Sequence, residues 1–157
     1  MSDPPRSKDE VIREVRYQER LHFRHCRLYR RLRGLLTIVS LASGSAAITS
    51  ALQAVAGGVA AAGFIVALVT IIDAVGGFAE KAAKHNVWRQ SASELRARSG
   101  PMDLMSIEAA LDRLKANVDD EIENLRAVCW NDVLESVGRE DAMRPEKTLQ
   151  RLMRAMA

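Results

Sequence analysis

Charge is missing from the middle of this chain. Gly34 to Ile72 is a run of 39 residues without a charged side chain, closed by Arg33 on one side and Asp73 on the other. Aromatic residues are scarce, 4% of the chain, which argues against a β-sandwich and against a stacking platform for nucleic-acid bases. Outside the uncharged run, proline and glycine are confined to the N-terminus, Gly76-Gly77, Gly100-Pro101, Gly138 and Pro145. What remains is rich in Ala, Leu, Arg and Glu, all good helix formers, so an all-α fold is expected. The two cysteines, Cys26 and Cys129, are far apart and are most simply reduced thiols in a cytoplasmic setting. No glycine-rich phosphate loop follows a strand, and no motif pairs a nucleophile with a base. Neither an enzyme nor a cofactor is expected. No internal repeat is seen, and the long charged segment before the run is unlike a secretory signal peptide.

The length of the run decides how it can be used. One helix through all 39 residues would be about 58 Å long, against a hydrocarbon core of ~30 Å. The run must fold back. Gln53 is its most polar residue and Gly57-Gly58 follows it closely, which favours a turn there. A membrane hairpin is expected, with crossings near 34–52 and 55–78. The competing reading is a buried hairpin of a soluble bundle, apolar on all sides. The Ser and Thr residues of the first crossing and a whole-chain mean hydropathy of -0.11 speak for that alternative. So long an uncharged stretch in so short a chain speaks for the membrane.

Charge then gives orientation. Residues 1–33 hold ten Lys/Arg and five Asp/Glu, densest at Arg24, Arg27, Arg30, Arg31 and Arg33. Lys81, Lys84 and Arg89 follow the second crossing, and the turn between crossings is neutral. Positive residues stay on the cytoplasmic side, so both termini are expected in the cytoplasm, at the inner membrane. The basic residues form a belt for anionic head groups and are not read as a nucleic-acid site. His22, His25 and His85 are assigned to the same belt. His22 and Cys26 have metal-compatible spacing, but a third and fourth ligand are missing, so no metal is expected.

The resulting plan is a basic cytoplasmic helix (1–33, capped by Asp3), the transmembrane hairpin (34–78), a cytoplasmic helical hairpin (79–138) and a tail (139–157). The helix of the second crossing is expected to continue unbroken to Arg98, and Gly100-Pro101 to end it. A second long helix should run from Met102 or Asp103 to a stop at Gly138. Along it Leu104, Ile107, Leu111, Leu114, Val118, Ile122 and Leu125 follow a spacing of three and four. Such a stripe packs on a neighbouring helix or serves as a docking seam. The acidic run around Asp119-Asp120 reads as a solvated face. Thr148–Met156 forms a short last helix or stays disordered.

Within the hairpin, Ser40, Ser43, Ala47 and Ser50 share one face of the first crossing and bulky Ile38, Leu41, Ile48 and Leu52 share the other. Gly58, Ala62 and Gly63 give the second crossing a small patch. Small faces let membrane helices approach closely; after oligomerisation they can also line a water path. Asp73 is the one carboxylate at the edge of the run, where ionisable groups are costly.

The order of these parts has a counterpart. A basic helix with Tyr17, Arg24 and His25 precedes a tight two-crossing hairpin, followed by a helix with His85 and Trp88. A further helix closes with Cys129-Trp130-Asn131-Asp132-Val133-Leu134. Over roughly residues 8–138 this resembles the SLATT domains, bacterial two-transmembrane proteins that accompany nucleotide-signalling and other conflict systems. The resemblance implies a membrane effector that forms pores or perturbs the bilayer, works as a homo-oligomer, and is triggered by a separate sensor or nucleotide-signalling protein in antiviral defence or cell suicide. The alternatives are a structural membrane anchor or scaffold, and a soluble helical bundle that inserts conditionally.

Overall fold

Ser7 opens the first helix. Its Oγ accepts a hydrogen bond from the Glu10 amide at 3.3 Å, and the Glu10 carboxylate accepts one from the Ser7 amide at 2.7 Å. This reciprocal capping box marks the entry; the expected cap, Asp3, lies outside the described residues. The computed structural model describes residues 6–53, 56–116, 118 and 121–157. Among them the helices are α1 (Lys8–Leu52), α2 (Ala56–Gly76), α3 (Phe78–Arg98), α4 (Leu104–Ala116), α5 (Glu123–Ser136) and α6 (Thr148–Met156), with a 3-10 turn at Glu140–Ala142. No strand occurs among the described residues.

α1 is 45 residues long, about 68 Å, and it serves two neighbourhoods. Its lower half, up to Arg33, is the axis of a helical bundle. Its upper half, from Gly34, pairs with α2 after a turn at Gln53. α2 returns antiparallel to the level of Arg33, and α3 continues down the lower half until Lys8 Nζ meets the Gly100 carbonyl at 2.8 Å. The expected unbroken helix through residue 77 is jointed instead. Gly77 takes φ +57, a left-handed value that glycine adopts without penalty. Gly76 is constrained from another side: a Cβ there would lie 2.6 Å from the Phe78 ring.

The long helix expected from Met102 to Gly138 is two helices. α4 stops at Ala116 and α5 starts at Glu123. Between them Ile122 is extended, at φ -85 and ψ 109, and its amide donates to His25 Nε2 at 2.8 Å instead of to a helical carbonyl. The break splits the apolar stripe onto two levels of α1. Ile107 and Leu111 pack with Val11 and Val15. Leu125, Cys129 and Val133 pack with Tyr17, Leu21 and Leu28, where Ala157, Met153 and Met156 also arrive. Asp119, Asp120, Ala54 and Val55 lie outside the described residues. α5 ends as expected. Gly138, at φ +68, completes a Schellman motif in which the Arg139 amide reaches Leu134 O at 2.9 Å and the Gly138 amide reaches Glu135 O at 3.1 Å.

The tail is ordered onto the bundle. Arg24 and Arg31 donate to the carbonyls of Arg154 and Ala155, at 3.3 and 2.8 Å. Cations at a helix C-terminus satisfy orphan carbonyls and complement the helix dipole. Below them Arg24 Nε donates to Asp132 Oδ2 at 2.7 Å, and Arg154 bridges Asp132 at 3.3 Å and Glu146 at 2.5 Å. Asn131, 1% exposed, donates to the Arg144 carbonyl at 2.7 Å and accepts from the Arg144 amide at 3.0 Å. It thereby clamps the segment leading to α6.

Candidate functional site

The candidate site is the hairpin of α2 with the upper half of α1, together with the packed base from which it rises. Two helices here are long and apolar enough to cross a membrane. Their most apolar 18-residue stretches are 0% and 11% buried inside the protein. Leu35, Ile38, Leu41 and Ile48 of α1 and Phe64, Leu68, Ile71 and Val75 of α2 stand exposed, Val75 at 83%. A core hairpin of a soluble bundle would hide these side chains.

The inner faces of the hairpin are legible from burial. On α1 the half-buried positions are Leu36, Ser40, Ser43, Gly44 and Ala47; on α2 the half-buried or buried ones are Gly58, Ala62, Val66, Val69, Asp73 and Gly76. Both sets step by three and four residues, the spacing of one helix face. The small face of the first crossing is therefore turned to α2, whose inner face carries Gly58 and Ala62 towards the turn and the larger Val66 and Val69 below them. Gly63 stands exposed, outside this contact, and the side chain of Ser50 lies outside the described residues. The outward hydroxyls satisfy themselves. Thr37, Ser45, Thr49 and Thr70 each donate to the carbonyl four residues earlier, at 3.0, 3.0, 3.1 and 2.8 Å. A hydroxyl bonded within its own helix leaves no bare polar group for an apolar surrounding. Asp73 faces α1 half-buried at the foot of the hairpin.

At that foot the three histidines are fully buried, contrary to their assignment to a cationic belt. His25 Nδ1 donates to Leu21 O at 2.8 Å while its Nε2 accepts from Ile122, which defines one neutral tautomer. His22 Nδ1 and His85 Nδ1 lie 3.0 Å apart, so one donates and the other accepts. His85 stacks on His25 with centroids 4.5 Å apart and meets Trp88 edge-on at 5.0 Å. Tyr29 connects this group to Phe78, at 6.2 Å, and so to the Gly76-Gly77 joint. Burial, with His85 and His25 adding to it, pushes His22 down to about 3, so the ring is neutral at physiological pH. Among the described residues His22 Nε2 is buried without a hydrogen-bond partner. Cys129 is also inert: burial raises its thiol to about 12, far from the thiolate that redox or metal chemistry needs.

The basic belt is smaller than the sequence reading. Arg24 is held against Asp132, with side chains only 15% and 10% exposed, so it is a core ion pair and not a head-group contact. Arg31 is engaged at the end of α6. Arg27, Arg30 and Arg33 are exposed. Lys81 lies 5.7 Å from the centroid of the Tyr29 ring and Lys84 pairs with Glu80 at 2.8 Å. The stripe considered for docking is likewise used internally: Ile107, Leu111 and Leu125 are 0% exposed, Leu114 is buried, and Leu104, Val118 and Ile122 are half-buried.

The histidines carried a signal that a charge-based reading passes over. Val11, Val15, Gln18, His22, His25 and Tyr29 step by four and three residues, and all are buried. Histidines thus complete the buried stripe that Val11 and Val15 begin on α1. No protein-family model, curated protein or solved structure matches the chain.

Proposed function

We propose that the α1–α2 hairpin sits in a bilayer and that the chain acts there as an oligomeric effector, perturbing or opening the membrane when a separate partner triggers it. The observation that carries the membrane part is the inverted exposure of the hairpin: bulky apolar side chains stand on its outer surface, and the small face of α1 is turned inward. The effector part follows the resemblance to two-crossing conflict-system proteins, with both termini and the bundle in the cytoplasm and the hairpin in the inner membrane. Thr37, Ser45 and Thr49 lie among Ile38, Leu41 and Ile48 on the outer face, so any water path between copies would have to form where those faces meet, because Ser40, Ser43 and Ala47 are turned to α2.

A second reading, a membrane anchor for the bundle, draws on the back-bonded hydroxyls, which offer a pore little free polarity. Purified chain reconstituted in vesicles separates the two. An effector releases trapped dye on triggering and loses this with Thr37→Val/Ser45→Ala/Thr49→Val, while still inserting. An anchor releases none under any trigger. Recovery of the expressed chain in the soluble fraction, without detergent or carbonate-resistant membranes, would contradict both and favour conditional insertion.

A further inference from the structure

The lower half of α1 turns Arg16, Arg20, Phe23, Arg27 and Arg30 to solvent. They step by four, three, four and three residues, so they form one row. α3 lies beside this row and contributes Arg89 and Arg96. Arg16, Arg20, Arg89 and Arg96 line a cleft of ≈ 350 Å³ with Glu19 and Phe23, between α1, α3 and α5. A second cleft of ≈ 360 Å³ joins it at Phe23 and Arg89 and holds Arg27, Arg30 and Arg31.

The charges of the lower cleft are not balanced from within. Arg96 pairs with Glu19 at 3.0 Å, and among the described residues Arg89 reaches only the neutral Asn86 Oδ1, at 3.4 Å. Arg16 and Arg20 form no ion pair among the described residues. Four guanidinium groups thus line a cleft that holds one carboxylate, Glu19, and Arg96 engages it; this excess of positive charge focuses anions. Planar guanidinium forks match phosphate oxygens two at a time, and the volume is that of a small-molecule site.

Phosphate could come from a lipid head group or from solution, and height separates them. Arg20 precedes Gly34 by 14 residues, about 21 Å along the helix. The head-group layer is only about 5–8 Å thick on each side. Arg30 and Arg31 fall within it and Arg16, Arg20 and Arg96 do not. We infer that the lower cleft binds a soluble, multiply charged phosphate compound, and that the upper one meets lipid head groups. The choice of source rests on the membrane reading; the binding itself does not.

The test titrates inorganic triphosphate into the detergent-solubilised full chain by calorimetry. Saturable one-to-one binding is expected. It should weaken by about tenfold or more in Arg16→Gln/Arg20→Gln and in Arg89→Gln, both still helical by circular dichroism. It should stay within about twofold in Arg98→Gln/Arg151→Gln, which removes the same charge elsewhere. Absent binding, or equal affinity in wild type and Arg16→Gln/Arg20→Gln, overturns the site. The titration is repeated in nanodiscs of phosphatidylcholine with and without phosphatidylglycerol. Unchanged affinity supports a soluble ligand; competition by phosphatidylglycerol overturns that source in favour of a head group. Failure to enter nanodiscs sinks the membrane reading while the detergent titration still decides the cleft.

Discussion

The two halves of α1 follow opposite rules within one helix. Below Arg33 the exposed row is arginine-rich and the buried rows hold Val11, Val15, Leu21, Leu28 and the histidines. Above it Leu35, Ile38, Leu41 and Ile48 are exposed, and the half-buried positions are mainly serine, glycine and alanine. The hydrophobic effect sorts side chains by solvent, and the proposed bilayer setting of the upper half accounts for one helix sorted both ways. The change occurs between Arg33 and Gly34, where α2 hands over to α3.

The comparison breaks most severely through the lower half. Asp132→Ala leaves Arg24 and Arg154 without their shared carboxylate, a loss of about 3–5 kcal/mol. Chemical denaturation of the solubilised chain should show a much earlier transition in the bundle, while carbonate-resistant membrane association persists; an unmoved midpoint would mean the ion pair is solvated. In the upper half, Ile38→Arg places a charge on the face read as lipid-facing and should cost about 2.5–3.5 kcal/mol of insertion. An exposed position in water would register within about 0.5 kcal/mol, so full retention in the membrane fraction contradicts two-solvent sorting.

Acid tests the junction. His22 titrates near 3 instead of 6.5, so the unfolded chain takes up its proton first. Stability is complete above about pH 6.5 and declines as pH falls towards 3, by about 2 kcal/mol between pH 6 and pH 4. His22→Phe should flatten that decline; an equally steep profile would move its origin to other groups. The smallest effect is expected at the joint. Gly77→Ala forces a Cβ into left-handed backbone at about 1 kcal/mol, which a shift of the thermal midpoint would report.

The hairpin was readable because its signals are local: an uncharged run, one polar turn residue, glycines at the far end. Gly138 was readable for the same reason. The break before Glu123 was not, because it depends on an imidazole 97 residues away accepting the Ile122 amide. The stripe from Leu104 to Leu125 keeps its period across the break, so periodicity alone reads through it. Arg24 and the histidines were misplaced because composition near a membrane suggests a belt, whereas their helical register points them inward. Small-residue faces were seen, yet only the folded hairpin tells which one is occupied: Ser40, Ser43 and Ala47 by α2, with Gly63 left outside.

The return path from the hairpin bends at Gly77, while α1 passes the same level without a break. The pair is a stiff rod beside a jointed one. A tilt of the arginine-lined end of the rod is carried upward along α1, which stays helical through this level from Lys8 to Leu52. The jointed partner can follow only by flexing at the joint, against the wedge of Phe78 and Tyr29. The mechanical address of this molecule is thus a single peptide unit at the foot of the hairpin.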